Sequence, residues 1–157
     1  MPAFSFIPRQ HRKLFKELRI SDEGFITSGG IALRKAGGVL QIRPSMLPLK
    51  KRSAKITIAH EYGHQVWDFV LTDAQRRQFI ETHQKLLPKV EREIAEYEKE
   101  SRVPWRSWLM HKHLGGEIPE ESFAELYGLY YGVSKERAEW EKGKPEMYSV
   151  FKEVVKV

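Results

Sequence analysis

Residues 53–69 read SAKITIAHEYGHQVWDF, and inside them stands His60-Glu61-Tyr62-Gly63-His64. Residues four apart on an α-helix lie one above the other on the same face. Both imidazoles can therefore address one ion, while Glu61, beside the first of them, reaches a water on that ion. The flanking residues carry the helix. Ser53 is a candidate N-cap, and Ile56, Ala59, Gly63 and Trp67 can face a core while His60 and His64 look into a cleft. This active-site helix is expected over 53–70.

Two histidines leave a catalytic metal site incomplete, because zinc in such sites takes three protein ligands and keeps one position open. The chain has 0 Cys and 6 His, so disulfides and thiolate ligands are excluded, and any metal has to be held by His and carboxylate. Downstream, Glu121 and Glu125 are again four apart, on a helix that Pro119 can open and Gly132 can stop. One of these carboxylates can ligate the ion while the other accepts the far ring N–H of a ligand histidine and sets its tautomer. The helix dipole by itself accounts for acidic residues in the first turn, Glu120 and Glu121, but not for the apolar packing pattern around Glu125.

The 157 residues suit one domain, 1–157. A composition of 41% hydrophobic and 31% charged residues excludes a disordered chain and an integral membrane protein. No apolar run approaches the roughly 18 residues that cross a bilayer, and the first residues lack the apolar stretch of a secretory signal. A cytoplasmic protein is expected. The net charge of +6 is uneven: residues 1–57 hold 12 Lys or Arg against three acids, whereas the remainder carries an acidic excess. These charges are dispersed among apolar residues and read as a solvated face.

Residues 9–19 (RQHRKLFKELR) put Leu14, Phe15 and Leu18 at helical spacing and predict a short amphipathic helix. Three short strands are expected next, at 25–27, 31–34 and 39–43, set off by Gly29-Gly30 and Gly37-Gly38 and closed by Pro44 and Pro48. Thr72 with Gln75 has the capping-box pattern and opens a helix carrying Phe79, Ile80, Leu86 and Leu87. Pro88 is expected to break or kink it before a charged helical stretch resumes over 89–100. Residues 104–116, with Trp105, Trp108, His111 and His113, have no clean period and read as a loop. A last amphipathic helix is expected near 146–156. The parts are thus a helix and β region at 1–52, the active-site helix at 53–70, a helical segment at 72–103, and the Glu121 helix with a C-terminal helix at 117–157. The expected fold is α+β: a small, mostly antiparallel sheet packed on the active-site helix, followed by a helical C-terminal half.

His60-Glu61-Tyr62-Gly63-His64 followed by Glu121-Ser122-Phe123-Ala124-Glu125 resembles the gluzincin metallopeptidases related to the anthrax lethal factor catalytic domain, and among them the compact Pro-Pro endopeptidases. The resemblance covers roughly residues 25–132, and its two motifs are the specific part. It implies a zincin-like fold, a bound Zn2+, His60, His64 and Glu121 as ligands, Glu61 as general base, and Glu125 as the carboxylate behind a ligand histidine. Two departures stand out. Where the family places an oxyanion-stabilising tyrosine, this chain has Leu114, so His113, with His111 near it, is the candidate for that role. The interval from His64 to Glu121, 57 positions, also exceeds the family's usual connection, which makes 72–103 an insertion.

The chemistry so implied is peptide-bond hydrolysis, in which zinc lowers the pKa of a water toward about 7 and Glu61 takes its proton. Val39, Leu40, Gln41 and Ile42, between Gly37-Gly38 and Pro44, are expected at a sheet edge, where they align an extended peptide as an antiparallel neighbour. The expected partner is a peptide or protein substrate, with no nucleic acid and no membrane. Two rival readings are a regulatory metallopeptidase acting on a cytosolic DNA-binding repressor and a non-catalytic nucleic-acid-binding module using the basic front. No zinc-finger, RNA-recognition or glycine-rich phosphate signature supports the latter. Neither motif names the peptide sequence that is cut.

Overall fold

A computed structural model describes residues 4–23, 30–32, 37–49, 52–100, 118–132 and 145–156. In chain order these form α1 (Arg9–Arg12), β1 (Glu17–Ile20), β2 (Gly30–Ala32), β3 (Val39–Ile42), a 3-10 turn (Pro44–Met46), α2 (Arg52–Phe69), α3 (Asp73–Glu100), α4 (Pro119–Gly132) and α5 (Pro145–Val154). The fold is α+β and mostly helical. No helix among the described residues is long and apolar enough to cross a membrane. The expected strand at 25–27 and the end of the one at 31–34 lie outside the described residues.

The sheet differs from the expectation in two respects. Its order is β1-β3-β2, with β2 antiparallel to β3 but β1 parallel to it, Glu17 opposite Val39 and Ile20 opposite Ile42. The sheet is therefore mixed rather than mostly antiparallel, and Val39, Leu40, Gln41 and Ile42 form its centre, not its edge. The cause lies in residues 9–19. The helix foreseen there ends at Arg12, and the amides of Lys16 and Glu17 donate to the Gly38 carbonyl at 2.8 and 3.3 Å, which starts the β1 ladder. Pairing with a distant strand overrides the helical spacing of Leu14, Phe15 and Leu18. The turn before β3 requires glycine at Gly38, whose φ is 75° and where any Cβ would run into the Leu14 carbonyl. The Gly38 amide donates to Gln65 Oε1 at 2.6 Å, which ties the sheet to α2 one residue beyond His64.

α2 buries Ala54, Ile58, Ala59, Tyr62, Val66 and Trp67. Phe4 and Phe15 lie against Tyr62, and Phe79 and Phe123 lie against Trp67, so the N-terminal segment, α3 and α4 all pack on this one helix. The capping box forms as expected: Thr72 N–H donates to Gln75 Oε1 at 2.8 Å and Gln75 N–H donates to Thr72 Oγ1 at 3.2 Å. α3 continues through Pro88 as one helix, so of the expected break or kink the break does not occur. Pro88 and Gln84, whose carbonyl loses its helical donor there, are both exposed, so water can take that carbonyl. α4 starts at Pro119 and ends at Gly132 as read from the chain. α5 closes the core with Met147, Tyr148, Val150, Phe151 and Val154.

Candidate metal centre

α2 and α4 carry both motifs, and they cross backbone against backbone. A Cβ at Gly63 would lie 2.7 Å from Ala124 Cα, one at Gly128 would lie 3.3 Å from His60 Cβ, and one at Gly132 would lie 3.0 Å from Ile56 Cα. Positions earlier on α2 thus meet positions later on α4, so the helices run antiparallel. Ala124, Gly128 and Gly132 recur every four residues and form a stripe of small side chains that lets α4 come this close. Two further ties hold α4 from other elements. His11 Nδ1 is 2.7 Å from the Tyr127 hydroxyl, and His83 Nε2 is 2.9 Å from Ser122 Oγ, with all four residues buried.

Close approach brings the predicted ligands together. His60, His64 and Glu121 each present a ligand atom within 4.8 Å of the others. His60 Nε2 and His64 Nε2 are 3.2 Å apart, Glu121 Oε2 is 3.6 Å from the first, and Glu121 Oε1 is 3.5 Å from the second. For metal–ligand bonds of about 2.0–2.2 Å, the edges of a coordination tetrahedron are about 3.3–3.6 Å. The imidazole pair lies close to one such edge and the Glu121 carboxylate spans it, Oε2 toward His60 and Oε1 toward His64, so the residues present could hold one ion between them. A His/His/carboxylate set suits zinc. Glu121 is 50% exposed at its side chain, which leaves that corner open to solvent, whereas His64 is 9% exposed.

Further carboxylates stand beside the two imidazoles. Glu125 Oε1 is 3.5 Å from His60 Nδ1. Glu120, for which the helix dipole is a sufficient account in the sequence, also meets an imidazole: His64 Nδ1 lies 2.7 Å from Glu120 Oε1. The signal for that contact is the antiparallel crossing, which sets the N-terminal end of α4 beside the later histidine of α2; no spacing within one helix contains it. Glu61 is buried at 7% exposure on α2 beside His60. His111, His113 and Leu114 lie outside the described residues, and Val39–Ile42 are placed away from any sheet edge. No family model, curated protein or solved structure matches the chain.

Proposed function

We propose that this protein is a zinc-dependent endopeptidase of the gluzincin kind with a zincin-like fold. The observation that carries the reading is the convergence of His60 Nε2 and His64 Nε2, 3.2 Å apart, with a Glu121 carboxylate oxygen 3.5–3.6 Å from each. Zinc held there supplies Lewis acidity and lowers the pKa of a bound water to about 7. His60 and His64 would hold the ion through their Nε2 atoms, with Glu125 and Glu120 beside their Nδ1 atoms. Glu61 takes the proton of the attacking water and returns it to the leaving amine, a transfer favoured by its burial next to the site. An extended peptide needs an unpaired strand edge to align it. β1 and β2 each have one strand partner among the described residues, and of these two edges β2 packs on α2, which makes it the edge offered to a substrate here.

Zinc content and peptide-library cleavage, measured on the purified protein, test this reading. Wild type and Glu61→Gln are expected to hold one zinc per chain, with hydrolysis in Glu61→Gln reduced by about 100- to 10,000-fold. Glu121→Ala is expected to hold none. Equal zinc content in wild type and Glu121→Ala, or undiminished cleavage in Glu61→Gln, would overturn the assignment.

A further inference from the structure

We propose that Glu120 is a positioning residue for the metal site: by accepting the Nδ1–H of His64 it holds that imidazole in the tautomer whose Nε2 lone pair faces the ion. This rests on the zinc reading above. The contact, at 2.7 Å, is shorter than the 3.2–3.6 Å separations among His60, His64 and Glu121 and crosses from α4 to α2. Glu120 also differs from its neighbour in burial, its side chain being 17% exposed against 50% for Glu121. A first-turn carboxylate engaged only with its own helix dipole would stay solvated. Glu120 instead turns inward onto an imidazole.

An ionised carboxylate only accepts hydrogen bonds, so the contact places the ring proton of a neutral His64 on Nδ1 and leaves Nε2 bare. That bare nitrogen is the atom 3.2 Å from His60 Nε2 and 3.5 Å from Glu121 Oε1. The opposite tautomer would aim an N–H at the ion and leave Glu120 facing a lone pair. Because the helices are antiparallel, the two ends of the α4 acidic cluster serve different histidines. Glu125 stands behind His60 and Glu120 behind His64, with the ligand Glu121 reaching both Nε2 atoms. Each ligand histidine therefore has its own carboxylate, and Glu120 acts on the ion only through His64.

The test uses the full chain and two readouts: the zinc dissociation constant by chelator competition, and the 15N spectrum of the His64 ring in metal-free protein at a pH where it is neutral. Wild type is expected to show His64 protonated at Nδ1. Glu120→Ala is expected to bind zinc about 10- to 100-fold more weakly at unchanged stoichiometry and to show mixed tautomers. Glu120→Gln keeps an acceptor oxygen, so it should retain the Nδ1–H tautomer and recover most of the affinity. An Nε2-protonated His64 in wild type would overturn the proposal whatever the variants do. So would Glu120→Ala affinity within about threefold of wild type, well short of what removing a partner behind a ligand typically costs. Loss of zinc stoichiometry in Glu120→Ala, with one donor fewer in the cobalt-substituted spectrum, would make Glu120 a ligand and also overturn it. Wild type that binds no zinc but shows His64 protonated at Nδ1 would count against the metal reading rather than against the Glu120 contact.

Discussion

Four histidines among the described residues meet α4, and it offers carboxylates to two of them and hydroxyls to the other two. His60 and His64 face Glu120, Glu121 and Glu125 and turn their Nε2 atoms toward one another. His11 and His83 face Tyr127 and Ser122 and are almost wholly buried. Burial lowers the pKa of His11 and pushes that of the Tyr127 hydroxyl well above its ordinary value, so this pair stays neutral. A neutral imidazole against a hydroxyl satisfies buried polar atoms and fastens one element to another. An imidazole backed by a carboxylate presents a more basic nitrogen, which suits a metal ligand. The same residue type, meeting the same helix from three others, is thus sorted by the partner it finds there.

The largest effect that separates the two pairs is expected from removing one member of each. His64→Ala should weaken zinc binding by about 1000-fold, roughly a third of the binding free energy of a three-ligand site. Its metal-free form should unfold at nearly the wild-type denaturant concentration. His83→Ala should do the reverse, keeping stoichiometric zinc while losing about 1–3 kcal/mol of stability, because Ser122 Oγ loses a buried partner. Chelator competition and urea unfolding read both quantities, and full zinc affinity in His64→Ala would dissolve the distinction. A smaller effect, felt at both pairs, is expected from Gly63→Ala. Its Cβ would press on Ala124 Cα at 2.7 Å, an overpacking worth about 1–3 kcal/mol. Both melting temperature and zinc affinity should fall together, whereas an unchanged melt would show that the helices tolerate separation there.

The smallest expected effect is one of pH. His11 has a folded-state pKa below its unfolded value, so below about pH 6.5 the unfolded chain binds more protons than the folded one. The contribution is complete above that pH and is lost as pH falls toward the folded pKa. His11→Gln should remove this slope. Denaturation at about pH 5 and pH 7.5 compares the two chains, and identical pH dependence would show that His11 titrates freely.

Much of the centre is legible from the chain because its spacing is local. His60 with His64 and Glu121 with Glu125 each fall on one helical face, and the caps at Thr72 and Pro119 mark where helices begin. What escapes is set between segments. Glu120 looks like a helix-dipole residue until α4 is laid antiparallel on α2. Residues 17–20 fit a helical stripe until their parallel pairing with Val39–Ile42 is known. Glycine and proline around β3 mark where that strand stops but say nothing about how many neighbours it has, so the centre of the sheet passes for an edge.

The small-residue stripe on α4 has a consequence for how a metal site of this kind is made accurate. Each residue along a helix advances about 1.5 Å and turns about 100°, so slipping α4 by one position would swing Glu121 off the pair of imidazoles altogether. Ala124, Gly128 and Gly132 mesh with Ile56, His60 and Gly63 in only one register, much as the teeth of a key fit one lock. The placement of the Glu121 carboxylate is then governed by positions where side-chain atoms are missing, about one to three turns away from it.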